Sequence, residues 1–88
     1  MFIILYYDME EKRVSKMLKV CRKYLVWVQN SVFEGELTEA SYEKLLFDID
    51  KIIDKNSTDS IVIYQFRSML YSKRDVIGCD KKVDINFL

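Results

Sequence analysis

Two apolar runs, Phe2–Tyr7 and Ile61–Phe66, constrain the fold more than anything else in this chain. Both are rich in β-formers and too short for helices, so both read as strands. Neither alternates cleanly between apolar and polar residues. A strand with one wet face alternates, whereas a strand covered on both faces does not. With 88 residues the chain makes one domain around one small core, so either the second cover comes from outside it or these are ordinary central strands with some exposed aromatics. A second copy meeting it through the same face is the simplest source, and a homodimer is expected.

Between these runs the periodicity changes twice. Val14, Met17, Leu18, Cys21 and Leu25 recur at helical spacing and predict an amphipathic helix from about Glu11 to Tyr24. Leu25–Leu37 favours two short antiparallel strands, with a tight turn at Asn30-Ser31 and a bulge at Gly35. Thr38 reads as an N-cap with Glu39 in the first turn. Tyr42, Leu45, Leu46, Ile49, Ile52 and Ile53 then predict a second helix, broken by Asn56–Ser60. Val83–Leu88 reads as a last short strand. The order βαββαβ with a strand-like tail is the ferredoxin-like pattern: an α+β fold, a four-stranded antiparallel sheet, and both helices on one face. The whole of 1–88 is expected to be one domain, with 1–66 as its core and 67–88 as a C-terminal extension.

Charge narrows the chemistry. Fourteen basic and fourteen acidic residues cancel, but they are segregated: residues 1–30 carry +3, 31–60 carry −5 and 61–88 carry +2. On the first helix Lys12, Lys16, Lys19 and Lys23 form one narrow stripe, flanked by Arg13 and Arg22, opposite the apolar side. Like charges at this spacing repel, and a polyanion would relieve them. A solvated face and a nucleic-acid contact both fit the stripe. The second helix has an acidic ridge at Glu39, Glu43, Asp50 and Asp54, with pairs expected between Lys44 and Asp48 and between Lys51 and Asp54. That ridge fits either solvent or a basic protein.

There is no histidine, which removes the commonest acid/base near neutral pH and the commonest transition-metal ligand. Cys21 and Cys79 have no metal-ligand spacing; two thiols or one disulfide are compatible with them, and reduced thiols fit a reducing compartment. Cys21 lies on the apolar side of its helix and reads as core. The apolar N-terminal run stops at Asp8, short of a signal peptide or a membrane span, so a cytoplasmic protein with no membrane contact is expected.

Asp8 holds a special place at the end of the first strand. A lone Asp there serves as a turn-former or helix cap. Alternatively, with the first strand near a dimer axis, two copies of Asp8 would share one hard cation, and Mg²⁺ suits such a site because it keeps much of its water. Such an ion would lower the pKa of a bound water and stabilise charge on a phosphate, a route to phosphodiester hydrolysis that needs no histidine.

One motif brings these readings together. The stretch Val28-Gln29-Asn30-Ser31-Val32-Phe33-Glu34-Gly35-Glu36-Leu37-Thr38, with Tyr7-Asp8 upstream and Ser60-Ile61-Val62-Ile63-Tyr64 downstream, closely resembles the CRISPR-associated Cas-two family. The resemblance covers nearly the whole chain. It implies a ferredoxin-like homodimer whose C-terminal strand completes the partner's sheet. It also implies a role in spacer acquisition with the Cas-one integrase, binding DNA and in some members cutting RNA or double-stranded DNA with Mg²⁺. The family's metal-binding acid matches Asp8, which becomes the expected catalytic and metal residue, with one Mg²⁺ shared across the dimer. Tyr7 and Phe33 match supporting positions, and Arg13 matches a basic position at the start of the first helix. Lys12, Arg13, Lys16, Lys19 and Lys23 are the expected nucleic-acid contacts. Many members carry an arginine where this chain has Trp27. Beside the endonuclease stand two other readings, a non-catalytic DNA-binding bridge of the integrase complex and a stand-alone RNase toxin on the same fold.

Overall fold

Strand β1 (Phe2–Asp8), helix α1 (Glu11–Tyr24), strands β2 (Val26–Gln29) and β3 (Val32–Glu36), helix α2 (Glu39–Asp50) and strand β4 (Ser60–Phe66) follow one another in a computed structural model. The structure describes residues 1–70 and 72–81. The strands form one antiparallel sheet in the order β2-β3-β1-β4, which is the expected ferredoxin-like α+β arrangement. The strand expected at Val83–Leu88 lies outside the described residues.

Alternation along β1 sorts its side chains into two environments. Ile3, Leu5 and Tyr7 are buried against Met17 and Cys21 of α1, Phe33 of β3, and Leu45 and Ile49 of α2. Phe2, Ile4, Tyr6 and Asp8 point to the other side of the sheet, in register with Phe66, Tyr64, Val62 and Ser60 of β4. On this outer face Tyr6 is 41% and Tyr64 52% exposed, and their rings lie 6.4 Å apart. The β3 part of the same face is covered differently: Arg74, from the segment after β4, reaches over the sheet to Glu34. That segment also borders Val28 and Gln29 of β2 around a cleft of ≈ 320 Å³.

Local chemistry explains the turns. Asn30 takes a positive φ of 47°, which Asn tolerates, and closes the β2–β3 hairpin. The bulge expected at Gly35 is instead on the opposite strand, where the register shifts between Trp27 and Gln29. Gly35 pairs regularly with Ile3, and a Cβ there would come within 3.2 Å of Leu25 Cδ2. Its absence lets Leu25 close over the strand.

Thr38 caps α2 as expected, its Oγ1 accepting from the Ser41 amide at 3.1 Å. The helix stops at Asp50, short of the apolar pattern, which runs to Ile53. Asp54 offers competing bonds: its Oδ1 accepts from the Asn56 amide and its carbonyl from the Ser57 hydroxyl. Leu46, read as part of the buried stripe, is 38% exposed. The acidic ridge is also shorter than expected, because Asp54 leaves the helix and sits 3.9 Å from Arg13. The two expected helix pairs are replaced: Asp48 is engaged by Tyr24 and Lys23 of α1, Lys51 lies over the Phe47 ring, and Lys55 pairs with Asp50.

Candidate functional site

Asp8 ends β1 opposite Ser60, the first residue of β4, on the outer face of the sheet. Its side chain is exposed, and no described residue offers it a hydrogen bond or ion pair. It does not cap α1: the N-cap is Glu10, whose own side chain makes no capping hydrogen bond. Among the described residues no three Asp, Glu or Cys side chains converge on a common cation position. Asp8 thus stands, among the described residues, as a single donor rather than part of a cluster. Such a donor set does not suit a fully protein-ligated metal such as structural zinc. It suits a hard cation that keeps most of its water and takes one or two carboxylates, as Mg²⁺ does.

Tyr7 and Phe33 support this end of the sheet from within the core. Their rings stack at 6.1 Å and 21°, and Phe33 is fully buried. Burial pushes the Tyr7 phenol above its usual range, so the ring is a packing element rather than a proton donor to solvent. The Tyr7 amide donates to the Ser31 carbonyl at 3.2 Å, tying the strand end to the hairpin turn.

All of the expected lysines lie exposed on α1. Lys12 and Lys23 make only long ion pairs, 3.8 Å to Glu10 and 3.7 Å to Asp48. Lys16 and Lys19 have no ion pair with any described residue. Arg13, expected among these contacts, is placed otherwise. Its side chain is 14% exposed, and its Nε donates to Asp59 Oδ2 at 2.5 Å while Nη2 lies 3.1 Å from Glu10 Oε2. Asp59 is fully buried and also accepts from the backbone amides of Glu10, at 2.8 Å, and Asp54, at 3.2 Å. The Arg13 guanidinium and these amides hold the Asp59 carboxyl well below the usual carboxylate range, against the opposing effect of burial.

The family model for CRISPR associated protein Cas2 matches residues 1–74. The chain belongs to the Cas2 family. Its relatives include the CRISPR-associated endoribonuclease Cas2 of Dictyoglomus turgidum, 44% identical over 92% of each chain. The protein of the same name from Pyrococcus furiosus is 48% identical over 92% of each chain. A crystal structure of a Cas2 superposes with a TM-score of 0.81 at 38% identity, covering 92% of this chain and 90% of that one.

In this Cas2 family member Trp27 has a structural use. It pairs with Phe33 across β2 and β3, and its indole N–H donates to the Asn30 carbonyl at 2.9 Å, closing the hairpin. The sequence reading missed both Asp59 and the Glu34–Arg74 pair. An Asp directly before the Ser60–Tyr64 segment was the available signal for the first. The second had a weaker one, an acid at a position that β alternation places between Ile4 and Val26. Cys21 is buried, with its thiol pushed up to about 12 by burial, and Cys79 is exposed. None of the described helices is long and apolar enough to cross a membrane.

Proposed function

We propose that two copies of this chain, joined through the outer faces of their sheets, form a Mg²⁺-dependent endoribonuclease of the CRISPR adaptation machinery. The observation that carries this reading is Asp8, an exposed carboxylate without a partner among the described residues, at the rim of an exposed aromatic face. Covering Tyr6, Tyr64 and Phe66 with the same residues of a second copy brings the two β1 strands, and with them the two Asp8 side chains, towards one axis. The names of the curated relatives supply the substrate class, RNA.

The residues divide the work. Asp8 from each copy would hold the Mg²⁺, which when bound supplies an acidified water and charge stabilisation for a phosphate. Lys12, Lys16, Lys19 and Lys23 bind backbone phosphates and set the position of the strand. Tyr7, stacked on Phe33, keeps the β1 terminus rigid so that Asp8 is presented without reorganisation. The protein works in the cytoplasm, with both thiols reduced.

The lysine stripe also supports a second reading, because its exposure does not depend on Asp8. In that reading the dimer is a non-catalytic DNA-binding bridge for the Cas-one integrase. One experiment separates the two. Purified dimer is assayed on RNA and double-stranded DNA with Mg²⁺ or EDTA, alongside Asp8→Ala. Cleavage that needs Mg²⁺ and vanishes in the variant, with the dimer intact by sedimentation, is expected. Equal cleavage by the variant sinks the site, and no cleavage by either protein leaves the bridge.

A further inference from the structure

We infer that Asp59 and Arg13 are positioning residues for the Asp8 carboxylate, and that Arg13 is not a contact to nucleic acid. The inference rests on the reading of Asp8 as a metal-holding group. Its basis is how little else fixes that side chain. Asp8 makes no side-chain bond within the described residues, so its place is set by the backbone on either side of it. On one side is the ladder, in which Asp8 faces Ser60. On the other, the Glu10 amide, two residues along, donates to Asp59 Oδ1 at 2.8 Å. Asp59 immediately precedes Ser60, so a single short stretch before β4 grips the chain both at Asp8 and just beyond it.

Asp59 is itself held. Oδ2 takes the Arg13 Nε hydrogen bond and the Asp54 amide, and the Asp59 amide donates to the Ser57 hydroxyl oxygen at 3.0 Å. Arg13 lies in the first turn of α1, and its guanidinium also faces Glu10 and Asp54. The β1–α1 junction, the first turn of α1 and the loop before β4 are thus locked around one buried carboxylate. A guanidinium with three acids of its own chain around it is poorly available to a phosphate. Loosening the lock would let the β1–α1 junction drift, and with it the ligand that a shared cation must find in a fixed place.

The test uses the full-length dimer and Mn²⁺ alone as the probe, followed by its paramagnetic signal, with salt-dependent RNA binding in EDTA measured separately. Asp8→Ala is expected to abolish Mn²⁺ binding. Asp59→Asn and Arg13→Gln are expected to weaken it about tenfold or more, the size seen when a ligand's supporting hydrogen bond is lost. Arg13→Gln should leave the salt dependence of RNA binding as in wild type. Arg13→Lys keeps the charge without the fixed fork, and serves where Arg13→Gln or Asp59→Asn fails to fold; it should weaken Mn²⁺ binding as well. Wild-type Mn²⁺ affinity in the folded Asp59 and Arg13 variants, with Asp8→Ala still dead, overturns the inference and leaves the metal reading standing. A drop of about 0.7 in the RNA salt slope on removing Arg13 identifies a phosphate contact and also overturns it. Wild-type Mn²⁺ binding by Asp8→Ala removes the metal reading, and the inference with it.

Discussion

Arg74 and Glu34 form an ion pair over the outer face of the sheet, with Arg74 Nε 2.6 Å from Glu34 Oε1. Glu34 belongs to β3, and only 8% of its side chain is exposed; Arg74 comes from the segment after β4. The pair divides the outer face. Arg74 covers the sheet at Glu34 of β3, whereas Tyr6 of β1 and Tyr64 of β4 stay exposed on the same face.

Because Glu34 is buried, removing the cation beside it should cost more than breaking a surface pair would. Arg74 is partly exposed, so the cost falls below the range of a fully buried pair. Arg74→Ala is expected to lower stability by about 1–3 kcal/mol in urea unfolding. Arg74→Lys should recover part of the loss. An unchanged urea midpoint for Arg74→Ala would show that the segment is not held by this contact.

The Asp59 lock predicts a pH dependence with a definite sign. The carboxyl has an ordinary pKa of 3.8 when unfolded and a lower one when folded, with the Arg13 hydrogen bond as the largest cause. Its stabilisation is therefore complete above about pH 4 and is lost as pH falls below that towards the lowered folded value. Asp59→Asn should be less stable than wild type at neutral pH, and the two unfolding curves should converge on acidification. A gap that persists unchanged to strongly acidic pH would mean that ionisation of Asp59 contributes nothing.

Much of this molecule was legible in the sequence where periodicity is local. The bounds of α1 follow from Val14, Met17, Leu18 and Cys21, whose spacing leaves one burial solution, and the hairpin follows from Asn30. The end of α2 was not legible, because the apolar pattern continues through Ile52 and Ile53 while Asp54 draws the backbone into local bonds. Arg13 shows the sharper limit. On a helical wheel it flanks the lysine stripe and reads as one more phosphate contact; its partner Asp59 is 46 residues away in sequence and meets it only through the fold. Asp8 was legible as a position, while its lack of a partner among the described residues is a property of the structure.

Thiol chemistry gives a check on burial that is independent of function. Cys21 is buried, with its thiol pushed up to about 12, so almost no thiolate forms near neutral pH; Cys79 is exposed. A disulfide reagent should modify one thiol per native chain quickly and the second only in denaturant. Mapping should place the fast label on Cys79. Rapid native labelling of Cys21 would show that the core around Met17 and Phe33 opens readily.

The lysine stripe predicts a change in slope rather than a simple loss of binding. Each phosphate contact removed lowers the salt dependence of association by about 0.7 for single-stranded and 0.9 for double-stranded nucleic acid. Lys16→Gln and Lys19→Gln are the cleanest tests, because neither lysine has an ion pair among the described residues to lose. The double variant should bind more weakly at low salt and approach wild type as salt rises. Unchanged slopes would make the stripe a solvated face.

The exposed aromatic side chains of β1 and β4 set the last expectation. Tyr6 and Tyr64 are packed on each other yet about half exposed, and Phe66 beside Phe2 is 36% exposed. Aromatic side chains that lie near the centre of an interface carry much of its energy. Tyr64 points away from the core, so its replacement should spare the fold of one chain while removing a contact between two. Tyr64→Asp is expected to weaken dimerisation at least tenfold in sedimentation equilibrium, with the unfolding midpoint of the isolated chain little changed. Mg²⁺-dependent cleavage should fall with the dimer and return at protein concentrations that restore it, because each copy brings only one Asp8. A variant that remains dimeric through micromolar dilution would place the two-copy interface elsewhere, and would remove the reason for bringing two Asp8 carboxylates together.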